Sequence, residues 1–539
     1  MVDFHHNIKH LLYVIVRKNI TFGSDIMSKN FGAKNYKEFI PKPVCEAYPQ
    51  YNEFYEKAWE LAFDHIKFID GMPQNPYMDE AFCATQVWIW DTCFMTLFCK
   101  YCRDVFPGVE TLNNFYETLY GEKRMPVITT PDDEPEWTRA VHGEPYRIVV
   151  HLADNPPLFA WAEYQNALIS GDKEYIKTLL YERKFLQKHF EWFDSLTEPL
   201  QTVDGVLMRT RVIKEDKGYH WEGGTSGMDN TPRGRVTEHC EKQRPNNPEM
   251  LWIDAICQQA LSAKMIAELF KLIDDTDNEK LWLERYNEKK NIVNKYYWDD
   301  EDKFYYDINC NTEEFFKIMT IASYWTMTAE IASKEQADHL AKQLFNKKTL
   351  HAKAPFLSLS RSDNDYVEKG QYWRGGVWLP TAYATVKGLE NYGKFEDAHI
   401  LATELLEHMY KTYCEFDPHT IWEAYSPEEY KPATNETGRS EYSRPNFCGW
   451  SALGPISMYI EQVLGFHTID AFENVVKWQK PDDIKGKIGI RTLHFGNVLT
   501  DIVANGNECT VVSNAPYTLV IRGTEYKIMV GENNFTIRI

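Results

Sequence analysis

Residues 247–272, NPEMLWIDAICQQALSAKMIAELFKL, are followed by residues 278–298, NEKLWLERYNEKKNIVNKYYW. The first segment is apolar almost all round and the second keeps its apolar residues to one stripe. A helix apolar on every side is buried, whereas a striped one shows a face to water. The same alternation recurs outward from this pair. Residues 51–68 (YNEFYEKAWELAFDHIKF) repeat apolar positions at three- and four-residue spacing, and 85–102 (TQVWIWDTCFMTLFCKYC) are nearly all apolar. Segments 158–171, 172–196, 313–333, 376–393, 394–413 and 449–465 continue the series, with Pro156 and Pro157 expected at a helix start. Ten to twelve helices result, with no strong strand before the end. Paired helices closed into a ring, an (α/α)6 barrel or helical toroid, explain the alternation, because the inner ring is buried on all sides. No fixed-period repeat supports a solenoid instead.

Three expected units follow: a poorly ordered lead-in over 1–35, a barrel over 36–470, and a small β-sandwich-like module over 480–539. In the last unit Val, Ile, Leu, Thr and Tyr alternate between Gly and Asn turns, including Asn505-Gly506. Long irregular segments at 120–150, 200–245 and 415–447 interrupt the helices, and segments of that length are usually functional.

Composition removes several function classes. The formal charge of −20 argues against nucleic acid or an anionic membrane as a partner, since both need a basic footprint. No stretch approaches the ~20 apolar residues of a membrane span, and the apolar run at 11–16 is too short for a secretory leader. The eleven cysteines form no framework spacing. Cys93, Cys99 and Cys102 lie in an apolar helical run, where small buried hydrophobes are expected rather than zinc ligands. Free thiols fit a reducing compartment, so a cytoplasmic protein is expected, or a periplasmic one if the N-terminus is processed. Aromatic residues reach 14 %, with 16 Trp and 32 Tyr. Helical packing is one use for them. A carbohydrate site is another, because sugar C–H faces pack on aromatic planes. No feature sets an oligomeric state.

Four polar, aromatic-flanked stretches carry the candidate chemistry. Gly223–Arg235 (GGTSGMDNTPRGR) contains one acid, Asp229, among glycines, hydroxyls and a proline, and reads as a loop. Trp88-Ile-Trp90-Asp91 places an acid among tryptophans at a helix start, where it either caps the helix or faces a polar cavity. Gln371–Trp378 (QYWRGGVW) brackets Arg374 with rings before a diglycine, which points to backbone brought close to a ligand, or to an Arg tied to a carboxylate. Trp422-Glu423-Ala424-Tyr425 places a second acid between rings. Asp229 and Glu423 meet only if the helices close into a ring. Such a pair meets the need of glycosidic hydrolysis, with one group protonating the leaving oxygen and the other activating water.

The motifs W-x-W-D-x-x-F (Trp88–Phe94), S-G-M-D-N (Ser226–Asn230), Y-W-R-G (Tyr372–Gly375), W-E-x-Y (Trp422–Tyr425) and G-W-[ST]-A-L (Gly449–Leu453) occur in that order. In this the chain resembles glycoside hydrolase family 63, the bacterial relatives of mannosyl-oligosaccharide glucosidase, and more distantly the family 37 trehalases. The resemblance covers about residues 50–465. It implies an (α/α)6 barrel and inverting hydrolysis of an α-linked glucoside or related α-glycoside. Asp229 falls on the family's general acid and Glu423 on its general base. Asp91 and Arg374 fall on positions that hold the sugar, and Trp90, Trp373 and Trp378 on the walls. Trp88, Asn230, Tyr372, Gly375, Trp422, Tyr425 and Trp450 complete the expected substrate site. Two departures stand out. Gly224-Thr225 precedes Ser226 where many relatives carry an acid, a part Glu222 could take, and Asn155 stands where relatives tend to have Gln. No cofactor is expected, and no dense acidic loop forces the structural calcium that some relatives bind. The same toroid also hosts sugar epimerases, lyases and inactive carbohydrate binders; an epimerase needs a histidine base, and His151, His220 and His239 lie near the candidate loops.

Overall fold

The computed structural model describes residues 29–80, 87–121, 155–197, 200–203, 206–209, 212–239, 245–437 and 441–538. Residues 1–28 of the expected lead-in over 1–35, most of 120–150, and His151 lie outside the described residues, whereas Asn30 and Gly32 donate backbone N–H groups to the Asp104 and Val105 carbonyls at 2.9 Å.

Six inner elements pack side by side in a closed circle. Ile89–Cys99 meets Phe159–Ser170, which meets Ile253–Leu272, which meets Trp325–Thr328. That turn meets Leu379–Asn391, and the run Ser451–Val463 closes the circle back onto Ile89–Cys99. All eleven residues of Ile89–Cys99 are buried, as an inner stave requires. Outside them stand Gln50–Asp64, Gly108–Tyr120, Phe185–Asp194, Thr276–Tyr296, Lys334–Gln343 and Phe395–Glu415. Of the 21 residues of Thr276–Tyr296 only Trp282, Tyr286, Lys289 and Val293 are buried, a stripe at near-heptad spacing. The fold is an (α/α)6 toroid.

Several helical expectations shift. The span 313–333 is not one helix. Phe315–Phe316 forms a strand against Asp307–Asn309, and only Ile321–Thr328 coils, as a 3-10 turn and one α turn. A segment rich in β-branched and aromatic residues favours backbone pairing over a continuous helix there. Pro156 and Pro157 precede their helix, which begins at Phe159. Gly108–Tyr120 and Lys334–Gln343 are helices that the apolar pattern alone passes over.

The β region draws on more of the chain than residues 480–539. A five-stranded sheet runs Lys42–Cys45, Lys487–Phe495, Val498–Asn505, Glu508–Ser513, Gly531–Thr536. A four-stranded sheet runs Thr468–Asp470, Val475–Trp478, Tyr517–Ile521, Thr524–Ile528. A boundary at 480 therefore cuts through the second sheet and omits an edge strand of the first. The Asn505-Gly506 turn is present, with Asn505 opposite Glu508 and Gly506 at φ +58°.

Candidate active site

Four inner staves begin just after a tryptophan: Trp88, Trp252, Trp378 and Trp450 are the residues that precede the first helical turn. The staves run parallel, so these rings gather at one mouth; Trp378 and Trp450 lie 5.6 Å apart, centroid to centroid.

The Asp229 loop leaves the hairpin Ile213–Glu215/Gly218–His220 and makes one helical turn, Gly223–Ser226. Gly227 follows at φ +83°, and a Cβ there would lie 3.0 Å from the Trp90 indole. Both the left-handed backbone and the close ring demand glycine. The loop is buried rather than solvated, because its far end is nailed down. Arg233, fully buried, donates to Asp254 at 2.7 and 2.9 Å and to Asp307 at 2.8 and 2.5 Å, and stacks 4.4 Å above Trp252. Arg235 adds bonds to Asp363 and Asp365. Asn155, also buried, donates to the Thr225 carbonyl at 2.9 Å. Glu222 accepts from the Thr225 hydroxyl at 3.1 Å, within its own turn.

Asn230 staples this loop to the next. Its amide nitrogen donates to the Gln371 carbonyl at 3.0 Å, and its oxygen accepts the Trp373 N–H at 2.8 Å. Both amide atoms thus hold backbone. Gln371 and Tyr372 sit at φ +32° and +65°, a strained pair of non-glycine residues. Thr434 secures them, accepting both their N–H groups, the first on its hydroxyl and the second on its carbonyl. The result aims the Tyr372 hydroxyl at Glu423. Trp373 and Trp378 stack at 4.3 Å, nearly parallel, with the Tyr372 ring edge-on to Trp378. Arg374 Nε donates to the Asn230 carbonyl at 3.4 Å. The diglycine answers crowding within the protein: a Cβ on Gly375 would meet the Tyr366 ring at 2.7 Å, and one on Gly376 the Tyr372 carbonyl at 2.3 Å.

Glu423 rides on a third segment, paired through Val377↔Tyr425 and Trp422↔Pro445. It is 1 % exposed. Its Oε1 accepts from the Tyr372 hydroxyl at 2.9 Å and from the Arg444 guanidinium at 2.6 Å, while Oε2 accepts the Arg444 N–H at 3.1 Å. Every one of these neighbours donates, so the group they suit is a carboxylate. Trp450 Nε1 and the Ser451 hydroxyl hold its carbonyl. Tyr425 is fully buried and receives the Trp422 N–H, an internal support rather than a wall.

Asp91 ties the pieces together. Burial pushes its carboxyl well above the usual range, and the charges of Glu423 and Asp229 push it further, opposed by Arg444. The Tyr372 phenol is raised by burial and then by the same two carboxylates. Asp91, Asp229, Tyr372, Glu423 and Arg444 therefore lie close enough to feel one another's charge. Trp90 is buried beside Phe94, and Trp88 is half-buried at the entry of the same stave.

Two residues escaped the sequence reading. Arg444 stands in a polar stretch with no pattern to mark it. Glu80 lies in a turn, fully buried; its Oε1 accepts the Trp88 N–H at 2.5 Å and the Thr92 hydroxyl at 2.9 Å. Among the described residues its Oε2 has no partner, and burial followed by the Asp91 charge raises it well above the carboxylate range. The stave capped by Glu80 is the one that carries Asp91. His239 is exposed, and His220 is held between Met250 and Glu215. Buried Cys93 and Cys99 have thiols pushed up by burial, as inert core groups do.

The sequence model of the mannosylglycerate hydrolase MGH1-like glycoside hydrolase domain matches residues 84–443, about two thirds of the chain. The chain belongs to that family, within glycoside hydrolase family 63, and its substrates are carbohydrates. An uncharacterised protein of Borreliella burgdorferi is 25 % identical over 421 residues, covering 77 % of this chain and 78 % of its own. Mannosyl-oligosaccharide glucosidase of Saccharomyces cerevisiae is 24 % identical over 306 residues, 50 % of this chain and only 33 % of the yeast protein. Among solved structures, a family 63 mannosylglycerate hydrolase from Thermus thermophilus, in complex with Tris and D-glycerate, superposes with a TM-score of 0.53 at 16 % identity, covering 75 % of this chain and 99 % of that one. No helix among the described residues is long and apolar enough to cross a membrane.

Proposed function

We propose that the protein hydrolyses an α-linked glucoside or a related α-glycoside with inversion at the anomeric carbon. Asp229 is the general acid that protonates the leaving oxygen, and Glu423 is the general base that takes a proton from the attacking water. The observation that carries the reading is Glu423 itself. A buried carboxylate fixed by three donors on one side keeps lone pairs for a water, and Asp229 acts on the same neighbours from a separately anchored loop. Asp91, whose neutral form burial favours, can donate a hydrogen bond to a sugar hydroxyl, and Arg374 supplies further donors. Trp88, Trp90, Trp373, Trp378, Trp422 and Trp450 are the proposed walls, while Asn230, Gly375 and Tyr425 hold the loops in register. The mannosylglycerate hydrolase and glucosidase relatives keep glucosides and mannosylglycerate together in the substrate class. Buried free thiols favour a cytoplasmic setting, and the proposed reaction uses no cofactor.

The test is proton NMR of the glycosyl unit cleaved at its anomeric carbon from nitrophenyl α-glucoside, kojibiose, nigerose and mannosylglycerate, with trehalose, whose second glucose always leaves as the α-anomer, scored by the appearance of the β-anomer. Release of the β-anomer first supports the proposal. Release of the α-anomer first, or a rearranged sugar without cleavage, sinks it.

A further inference from the structure

The hairpin that launches the Asp229 loop carries an unabsorbed cluster. Glu215 closes its first strand, His220 ends its second, and Cys310 follows the strand Asp307–Asn309. One carboxylate oxygen, one imidazole nitrogen and the Cys310 sulfur lie within 4.8 Å of one another.

The imidazole is the informative member. Its Nδ1 lies 3.0 Å from the Met250 carbonyl, which can only accept, so Nδ1 carries a hydrogen. Nε2 then lies 2.6 Å from Glu215 Oε1, a carboxylate oxygen. A neutral ring has no second hydrogen to place there, so a proton on the ring or on the carboxyl closes this contact, and a shared metal would spread the two atoms to about 3.3 Å. A histidine whose Nδ1–H is pinned to a carbonyl, with Nε2 aimed at further donors, is how proteins present imidazole to a metal. With a metal in place of that proton, Nε2 and the carboxylate oxygen become two of its ligands and the Cys310 sulfur the third.

We propose that Glu215, His220 and Cys310 form a site for a borderline transition-metal ion, with Zn²⁺ the best match. Mixed oxygen, nitrogen and sulfur donors suit that ion, and a thiolate with imidazole disfavours calcium or magnesium. Three protein ligands leave a fourth position to water. The placement gives the site a use. Cys310 extends the strand whose Asp307 grips Arg233, and His220 precedes Trp221 and the turn leading to Asp229. A metal bridging them joins the two ends of the acid-bearing loop outside the catalytic pocket. The site stands independently of the glycosidase reading.

The full chain, stripped with a chelator and dialysed, is titrated first with Zn²⁺ and then with Co²⁺ as a spectroscopic probe. One ion per chain is expected, with a sulfur-to-cobalt charge-transfer band and a rise in Tm on metal addition. Cys310→Ser loses that band, and both Cys310→Ser and Glu215→Gln bind at least about tenfold more weakly. Circular dichroism establishes that both variants are folded. Failure of the wild-type chain to bind micromolar Zn²⁺ overturns the proposal and leaves a proton in that contact. Wild-type affinity in either variant overturns it as well.

Discussion

At the closed end of the ring, Glu461 is buried among cations. Lys100 and Lys387 each approach it to 3.1 Å, Tyr101 and Tyr383 donate to it, and Glu390 takes the other side of Lys387. Burial alone would raise this carboxyl, but the two lysines win and hold it at about 2. At the mouth, where Arg444 is bonded to Glu423, burial leads and Asp91 and Glu80 go up instead. Glu461 thus goes down at the closed end while burial raises its neighbour Glu390, and both Asp91 and Glu80 go up at the mouth. Counter-charge makes the closed end a structural joint. At the mouth burial raises Asp91 and Glu80, which is where perturbed carboxyl groups become useful.

The contrast can be broken from either side. Asp229→Asn and Glu423→Gln, at the mouth, should each lower kcat by about 10²- to 10⁴-fold with Tm nearly unchanged; steady-state kinetics beside a melting curve checks this. Lys387→Met, at the closed end, should do the reverse. It should cost about 3–5 kcal/mol in urea unfolding by stranding buried Glu390 and Glu461, while kcat of the folded fraction is kept. A variant at the joint that kills activity without loosening the fold would erase the distinction.

The pH response of stability sharpens it further. Glu163, on the stave Phe159–Ser170, accepts from Tyr116 and Tyr175, yet burial still raises it to about 8. A raised carboxyl contributes stability fully below its unfolded value, and loses it as pH climbs through about 8. Glu461, depressed to about 2, contributes above its unfolded value and loses it as pH falls toward 2. Glu163→Gln should therefore flatten the alkaline loss, on the order of a few kcal/mol, and leave the acid loss in place. Urea midpoints across pH resolve the two. The smallest effect is expected for Asp91→Asn, roughly tenfold in kcat, because amide replaces an already neutral group; an effect as large as that of Asp229→Asn would make Asp91 ionised in the working enzyme.

The staves were legible because burial on every side writes apolar residues at every position, as in Ile89–Cys99. The site motifs were legible because tryptophan beside an acid is unusual chemistry. What stayed hidden depends on partners remote in sequence. The glycine-rich Asp229 loop has the composition of a solvated surface, and remote partners, Asp254 and Asp307 gripping Arg233 foremost, sink it into the protein. Arg444 gains its meaning from Trp422 pairing with Pro445, a register no local pattern encodes. Glu80 is concealed for the same reason, since nothing in a polar turn marks it as the acceptor for Trp88 and Thr92.

The short strand Lys42–Cys45 lies antiparallel along Lys487–Phe495, at the margin of the five-stranded sheet. Residues that enter the described chain before the first outer helix are thereby latched to residues that follow the last stave. A protein cut after Gln479 would surrender this latch and bare the hydrophobic underside of Val475–Trp478, so the toroid and its β appendage should melt together as one cooperative body.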